Sequence, residues 1–257
     1  MKIIDMDAHP PFDTTSIDYI GELNQTKFFD RLERAGIDMV CGTLIPPVGF
    51  FENYAIAEVI QQLNKRTMEM ALSEPRYIPV LWVHPDCVET SLLQLEKYVS
   101  MGAQIIEIDA AWLEREEMHH ILSTANEQNV MVSLRGGTPD QIIALKEKFP
   151  LLKILVGGIS DRVFTPECAK KILTTCSQVY LRLSGTFWSW NYVLHEWSKS
   201  MDKERLLFGT GYPYCNPATK LAAILWELRD QSNEEKELIF SKNVMKMSIG
   251  RCGSENN

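Results

Sequence analysis

The sequence predicts a single (β/α)8 barrel, the TIM-barrel architecture, and three observations predict it. The chain has 257 residues, which is the usual length of one such barrel. Short apolar runs of strand length alternate with amphipathic segments of helical length, eight times in succession. No glycine-rich loop follows the first run, although an open doubly wound sheet often has one there. The open sheet is therefore the alternative fold.

The strand-like runs are rich in Ile, Val and Leu and lack a regular alternation of apolar and polar residues. Parallel strands that are covered by helices on both faces have this composition. We therefore expect one parallel sheet that closes into a barrel. The runs are 2–5, 39–45, 77–83, 104–108, 130–134, 152–156, 179–183 and 205–209.

Helix candidates occupy the intervals between these runs. The segment 27–35 stops at Gly36 and the segment 88–101 stops at Gly102, and glycine is common just past a helix end. The remaining candidates are 52–72, 114–128, 139–148, 166–176, 190–200, 217–230 and 234–247. Together with the strands they predict one barrel domain over residues 1–250 and a disordered tail over 251–257.

Composition narrows the class of partner. The net charge is -8 and no run of Lys and Arg occurs, so we expect no nucleic acid or anionic membrane as a partner. The sequence starts with neither a basic segment nor a long apolar one, which predicts a cytoplasmic protein without a membrane span. Its six cysteines form no CxxC pair, which argues against a structural zinc site. A small-molecule ligand is the expected partner.

Acid/base side chains follow three of the predicted strands. Asp7 and His9 follow the first, His84 the third and Asp109 the fourth. Catalytic groups of α/β barrels lie at these strand ends, so these four residues are the candidate catalytic set. They form either a site for metal binding or acid/base chemistry, or a hydrogen-bonded polar cluster without activity.

Two arginines and four aromatic residues follow the later strands. Arg135 is a candidate clamp for a carboxylate or phosphate, or else it forms a salt bridge to Asp7 or Asp109. Arg182 is either a second group of this kind or, as we expect, points outward between the helices. Trp188, Trp190, Tyr212 and Tyr214 either line an apolar ligand pocket, in which Trp188 and Tyr212 would contact the substrate, or pack loops across the barrel.

Four segments resemble, in order along nearly the whole chain, the motifs of one enzyme family. IDMDAH (4–9) resembles I-D-x-H-x-H, and FPLLKILVGG (149–158) resembles F-P-x-L-K with an apolar run that ends in G-H. RLLFGTGYPY (205–214) resembles R-L-L-F-G-T-D-Y-P-F, and LIFSKNVMKM (238–247) resembles a helix with I-x-x-x-N-A. The chain thus is similar to the decarboxylase-like, or amidohydrolase-related, branch of the amidohydrolase superfamily.

The resemblance implies a divalent metal, usually zinc, held by four histidines and an aspartate. The corresponding positions here are Asp7, His9, Arg135, Gly158 and Gly211. Of the implied ligands only His9 is kept, Asp7 is a possible substitute, and an arginine cannot ligate a metal. The resemblance therefore implies a largely lost metal site: either no metal binds, or zinc or another divalent ion binds weakly at His9 and Asp7 or at a rebuilt site.

Two functions follow as expectations. The first is a hydrolase for a small anionic ester, lactone or amide, with decarboxylation next, in which Arg135 holds the substrate and His9 or His84 is the acid/base. The second is a non-catalytic barrel that binds a small molecule or a partner protein, with its mouth filled by Trp188 or by a salt bridge of Arg135. Barrels of the family often form dimers, so the resemblance also implies a possible homodimer.

Overall fold

The computed structural model describes residues 1–17, 20–157, 166–185, 188 and 192–247. Every one of the predicted strand runs contains a strand, although most strands are shorter than predicted. All pairs between the barrel strands are parallel. The barrel strands are β1 Ile4–Asp5, β4 Met39–Gly42, β5 Tyr77–Pro79, β6 Leu81–Trp82, β7 Ile105–Asp109, β8 Met131–Arg135, β9 Ile154–Gly157, β10 Val179–Arg182 and β11 Leu206–Leu207.

These strands form two sheets, β1-β4-β5 and β6-β7-β8-β9-β10-β11. The predicted run 77–83 provides one edge of each sheet, because it is divided at Val80 into β5 and β6. At the other edges the Met6 N–H donates to the Phe208 carbonyl at 2.9 Å, and Ala8 forms a parallel bridge with Tyr212. The first and last barrel strands are therefore neighbours, and the α/β barrel class is confirmed.

One β-hairpin was not predicted. Strands β2 (Thr15–Ile17) and β3 (Gly21–Leu23) pair antiparallel in the connection between β1 and the first helix. Each has only three residues, too few for a periodic pattern of apolar residues to stand out. Gly21 has a φ of +72°, a conformation that glycine adopts without steric cost.

Helices follow the barrel strands, as predicted. Helix α1 ends at Arg34, and Gly36 takes a φ of +81° two residues later, so the predicted glycine stop is correct. The predicted helix 52–72 is divided into α2 and α3. The helices are α1 Gln25–Arg34, α2 Phe50–Asn53, α3 Ile56–Ser73, α4 Val88–Val99, α5 Glu116–Glu127, α6 Pro139–Lys148, α7 Pro166–Thr175, α8 Val193–Ser198, α9 Pro217–Glu227, and α10 Asn233–Glu237, which continues through a π-helical turn Leu238–Lys242 into α11 Asn243–Lys246.

The core has two parts. A large cluster of buried apolar side chains includes the helix residues Phe28, Leu63 and Ile121. A smaller cluster groups apolar side chains from successive barrel strands, among them Ile105 and Met131. Since side chains two residues apart on a strand share a face, the residues that follow this smaller cluster by two positions continue the same inner face. These positions carry the polar site described below.

Over the described ranges, no helix has the length and apolar composition that a membrane crossing requires. The predicted disordered tail, 251–257, lies outside the described residues.

Candidate active site

A cavity of about 340 Å³ lies at the carboxyl ends of the barrel strands. Its polar walls come from the last residues of β8 and β10 and from the segments that follow β1, β4, β10 and β11, and its apolar walls come from the loop after β4 and from Trp82. The expectation that the mouth leaves no room for a ligand is therefore wrong. The described residues that line the cavity are Asp7, His9, Thr43, Leu44, Ile45, Pro46, Trp82, Arg135, Arg182, Ser184, Gly185, Gly211, Tyr214 and Cys215.

Arg182 points into the barrel, and the expectation of an outward side chain is wrong. It is 3% exposed, and its Nη2 lies 3.3 Å from Oδ1 of Asp7. Its Nη1 donates to the Met6 carbonyl at 3.1 Å and to Oγ of Ser133 at 3.2 Å. A methyl group at Gly157 would overlap the guanidinium. Because Gly157 of β9 has no side chain, the Arg182 side chain has room to extend from β10 towards Asp7.

His9 lies between acceptor oxygens on both sides of its ring. Nε2 is 3.0 Å from Oδ1 of Asp7, and Nδ1 is 3.2 Å from both the carbonyl and the hydroxyl oxygen of Thr43. That hydroxyl donates its own proton to Oε1 of Glu107 at 3.2 Å, so it accepts from the histidine. Both ring nitrogens therefore carry a proton, and His9 is an imidazolium.

The pKa shifts agree with this assignment. Burial alone lowers the pKa of His9, but the bond to Asp7 and the charges of Asp7 and Glu107 outweigh burial, and the net shift is upward. Burial alone raises the pKa of Asp7, but Arg182 and His9 hold it well below its usual range. Asp7 is therefore a fixed anion between two cations.

Glu107 connects this group to Arg135. It is 7% exposed and accepts from Oγ of Ser133 at 3.2 Å, from Thr43, and from Nη2 of Arg135. Arg135 therefore forms a salt bridge, but its partner is Glu107 and not Asp7 or Asp109 as predicted. The side chain of Arg135 is 51% exposed, so its guanidinium is at once anchored and open to the cavity.

Two of the four predicted catalytic residues stand apart from this group. Nδ1 of His84 accepts from the backbone N–H of Asp86 at 3.1 Å, and its ring centroid lies 4.6 Å from that of Trp112. Oδ1 of Asp109 accepts from the N–H of Ala111 at 2.8 Å. Both side chains stabilise the turns that follow their own strands. The structure thus brings together Asp7 and His9, but not His84 and Asp109.

The aromatic residues divide in a similar way. Trp188 is fully buried and packs edge-on against Trp197 at 5.0 Å, so it neither lines nor fills the cavity. Tyr212 is 3% exposed and lines an adjoining cavity of about 1200 Å³ instead. Tyr214 lines both cavities. Trp190 lies outside the described residues.

Of the residues at the implied metal positions, Asp7 and His9 have side chains that can ligate a metal. Across the ranges that the structure describes, no three His, Cys, Asp or Glu residues are grouped so that they could hold a metal ion. Gly211, with a φ of +75°, offers no side chain, and Arg135 is a cation. Gly158 lies outside the described residues. The guanidinium of Arg182 supplies a positive charge beside Asp7.

Sequence reasoning missed Glu107, Ser133 and the inward position of Arg182. The signal that would have found them is the period of two along each strand. Glu107 follows the interior residue Ile105 by two positions, and Ser133 likewise follows Met131. Arg182 follows Tyr180, which packs against the same inner cluster.

Comparison with known proteins identifies relatives of this barrel. The amidohydrolase family model matches residues 4–247. No curated protein matches the chain.

Solved structures give the same fold at low identity. An uncharacterized TIM-barrel protein from Bordetella bronchiseptica is 16% identical, with a TM-score of 0.70 over 96% of this chain and 98% of its own. A 2,6-dihydroxybenzoate decarboxylase from Rhizobium is 12% identical, with a TM-score of 0.71 over 96% and 98%. A protein described as a probable 2-pyrone-4,6-dicarboxylic acid hydrolase from Acinetobacter baumannii, with citric acid bound, is 15% identical, with a TM-score of 0.67 over 96% and 99%.

Proposed function

We propose a function from the premise that this chain belongs to the amidohydrolase family. In this proposal the protein hydrolyses a small ester or lactone that carries a carboxylate, and it does so without a divalent metal. The observation that carries the proposal is the position of Arg182, whose buried guanidinium lies 3.3 Å from Asp7 on the wall of the cavity. The guanidinium of Arg182, a permanent cation, thus lies beside Asp7 on the cavity wall.

The charge of the cavity favours an anionic ligand. Among the described residues, the charged side chains that line it are Arg135, Arg182 and protonated His9, against the anion Asp7. The whole chain has a net charge of -8, so this cationic cavity is a local exception to the overall charge. A concave site of one sign raises the local concentration of ligands of the other sign. A carboxylate is therefore the expected group.

In the proposed reaction Arg135 has one role, and Arg182 and His9 share another. Arg135 binds the substrate carboxylate, because a guanidinium matches the two oxygens of that group. Arg182 and His9 donate towards the oxygen that becomes negative when water adds to the ester carbonyl. His9 then gives a proton to the leaving oxygen, and the attacking water returns one, so that water and ester become acid and alcohol.

The names of the structural relatives support the substrate class. The Acinetobacter protein is described as a dicarboxylic acid hydrolase and holds citric acid, and the Rhizobium enzyme is a benzoate decarboxylase. Both names contain a carboxylate on a small molecule. The likeness itself concerns the fold, so the cationic cavity of this chain remains the main support.

A second candidate function is anion binding without catalysis. It is favoured by the hydrogen bonding of His9, since both ring nitrogens are occupied by Asp7 and Thr43. Asp7, with its lowered pKa, is a weak base. In the described part of the chain, no uncommitted general base lines the cavity, which is the arrangement expected of a binding protein.

The test combines binding and turnover in the full chain after treatment with a chelator. Calorimetry measures the binding of small carboxylates, and a panel of carboxylate-bearing esters and lactones is screened for hydrolysis. Arg135→Gln should weaken carboxylate binding about tenfold or more, the loss expected for one charge-assisted contact. Arg115→Gln is the matched control, because Arg115 is a half-buried arginine already paired with Asp86 at 2.7 Å.

The outcomes separate the candidates. Hydrolysis that survives chelation and is lost in Arg182→Lys supports the proposed hydrolase. Binding that depends on Arg135, without turnover of any ester or lactone, supports the anion-binding protein. Hydrolysis that appears only after zinc or manganese is added would overturn the metal-independent mechanism.

A further inference from the structure

The second cavity adjoins the first and is larger, at about 1200 Å³. The two share the side chains of Ile45, Pro46, Tyr214 and Cys215. The outer walls of the larger cavity come from the unpredicted β2-β3 hairpin and from α1. The two cavities therefore meet at these four side chains.

The sequence of α1 places an arginine, Arg31, on the wall of this larger cavity. Phe28 faces the core, and its ring centroid lies 5.0 Å from that of Tyr212. Arg31 follows Phe28 by three positions and so lies on the same face of the helix. Its Nη1 donates to the Tyr212 hydroxyl at 3.5 Å. Phe28 and Arg31 thus both contact Tyr212, and the Arg31 side chain lines the cavity.

Arg31 is partly buried, and within the described ranges no carboxylate pairs with it. The contrast is Arg34, which lines the same cavity but is 78% exposed and forms an ion pair with Asp30 at 3.1 Å. A partly desolvated guanidinium with a single long bond to a neutral hydroxyl keeps most of its donors for another acceptor. An anion is the acceptor that such a group binds best.

We propose that Arg31 forms a second anion-binding subsite, so that the natural ligand carries a negative group at each end. One end binds at Arg135 and the other at Arg31, and the apolar middle lies along Ile45, Pro46 and Tyr214. The inference rests on the proposed function for its first anchor. It adds the class of ligand: an elongated dianion, either a dicarboxylate or a carboxylate with a phosphate-like group at the other end.

The test compares ligands that differ in one charge. Calorimetry on the full chain measures adipate, pimelate and suberate against hexanoate, heptanoate and octanoate. At the chain length that fits, the dicarboxylate should bind about tenfold more tightly than its monocarboxylate, as expected for one added charge-assisted contact. A phosphonocarboxylate of that length identifies the second group as phosphate-like if it binds more tightly still, and as a carboxylate if it does not.

Variants assign the effect to one residue. Arg31→Gln should abolish the advantage of the dicarboxylate and leave monocarboxylate affinity unchanged, whereas Arg34→Gln should change neither. Arg31→Lys should restore part of the advantage, because it keeps the charge but not the planar fork. Circular dichroism and the melting temperature confirm that each variant is folded.

Three results would overturn the subsite. These are equal affinity for dicarboxylates and monocarboxylates at every length, an advantage that persists in Arg31→Gln, and an advantage that Arg34→Gln abolishes. With any of them, monocarboxylate binding that still depends on Arg135 leaves the proposed function intact. If neither class of acid binds, both proposals fall together.

Discussion

Nη2 of Arg182 and Oδ1 of Asp7 lie 3.3 Å apart, and the same carboxylate oxygen is 3.0 Å from Nε2 of His9. One buried anion is thus shared by two cations. The arrangement depends on Gly157, because a side chain at this position of β9 would overlap the Arg182 guanidinium. This group of side chains determines both the charge of the cavity and part of the stability of the barrel.

Removing the guanidinium should destabilise the fold strongly. Arg182→Met removes one of the two cations that contact Asp7, and loss of one member of a buried ion pair costs about 3–5 kcal/mol. Urea denaturation measures the change in the free energy of unfolding. The double variant with Asp7→Asn should lose less than the sum of the two single variants. Arg34→Met, which breaks an exposed pair, is the control and should show no comparable loss. Additive losses would show that the buried pair is not coupled.

Gly157→Ala should displace Arg182 from Asp7. The added methyl group meets the guanidinium, and overpacking of this kind costs about 1–3 kcal/mol. The same substitution in an Arg182→Ala background should cost much less, because the obstacle has been removed. The measurement is the loss in free energy of unfolding that Gly157→Ala causes in each background. Equal losses in the two backgrounds would contradict the close packing of the Arg182 guanidinium against Gly157.

Metal content should be low in the purified protein. Elemental analysis without added metal should find zinc and manganese well below one ion per chain, in the wild type and in His9→Ala alike. The reason is the scarcity of donors around Asp7 and the presence of the Arg182 cation beside it. Near-stoichiometric metal that disappears in His9→Ala would instead reveal a rebuilt metal site.

Stability should fall as the pH rises above neutrality, in part because of His9. Its pKa in the folded protein lies above the ordinary value of 6.5, so the protonated ring stabilises the fold. This contribution is complete below pH 6.5 and is lost as the pH rises through the raised pKa. Asp7→Asn should move the pKa of His9 downward, because burial then acts with less opposition. NMR titration of the histidine ring protons measures the shift, and an unchanged pKa would refute the charge pairing.

Much of the fold was predictable because it rests on repeated apolar patterns. The strand runs and the glycine stop after α1 follow from periodicity and backbone preference alone. The β2-β3 hairpin was missed because three-residue strands have no period to detect. The division of run 77–83 at Val80 was missed because pairing partners, not local sequence, determine where a strand changes neighbours.

Less of the site was predictable. Asp7 and His9 were placed correctly as neighbours, since both follow one strand. His84 and Asp109 were expected to join them, but short-range bonds to their own turns hold them elsewhere, as is common for such side chains. Glu107 and the direction of Arg182 follow from the inward-outward alternation of side chains along a strand, which apolar runs alone do not reveal. The cytoplasmic location and the homodimer stay predictions.

The site can form only after the segments at the first and last barrel strands have paired during folding. Asp5 accepts from the N–H of Thr210, 205 residues away in the sequence, and Gly211 donates to the Asp7 carbonyl at 2.7 Å. Contacts between such distant segments form late and slowly during folding. A chain still emerging from the ribosome, or one truncated before Thr210, lacks this junction. Ligand binding therefore reports a completed barrel, and a ligand that binds only this state protects it from unfolding.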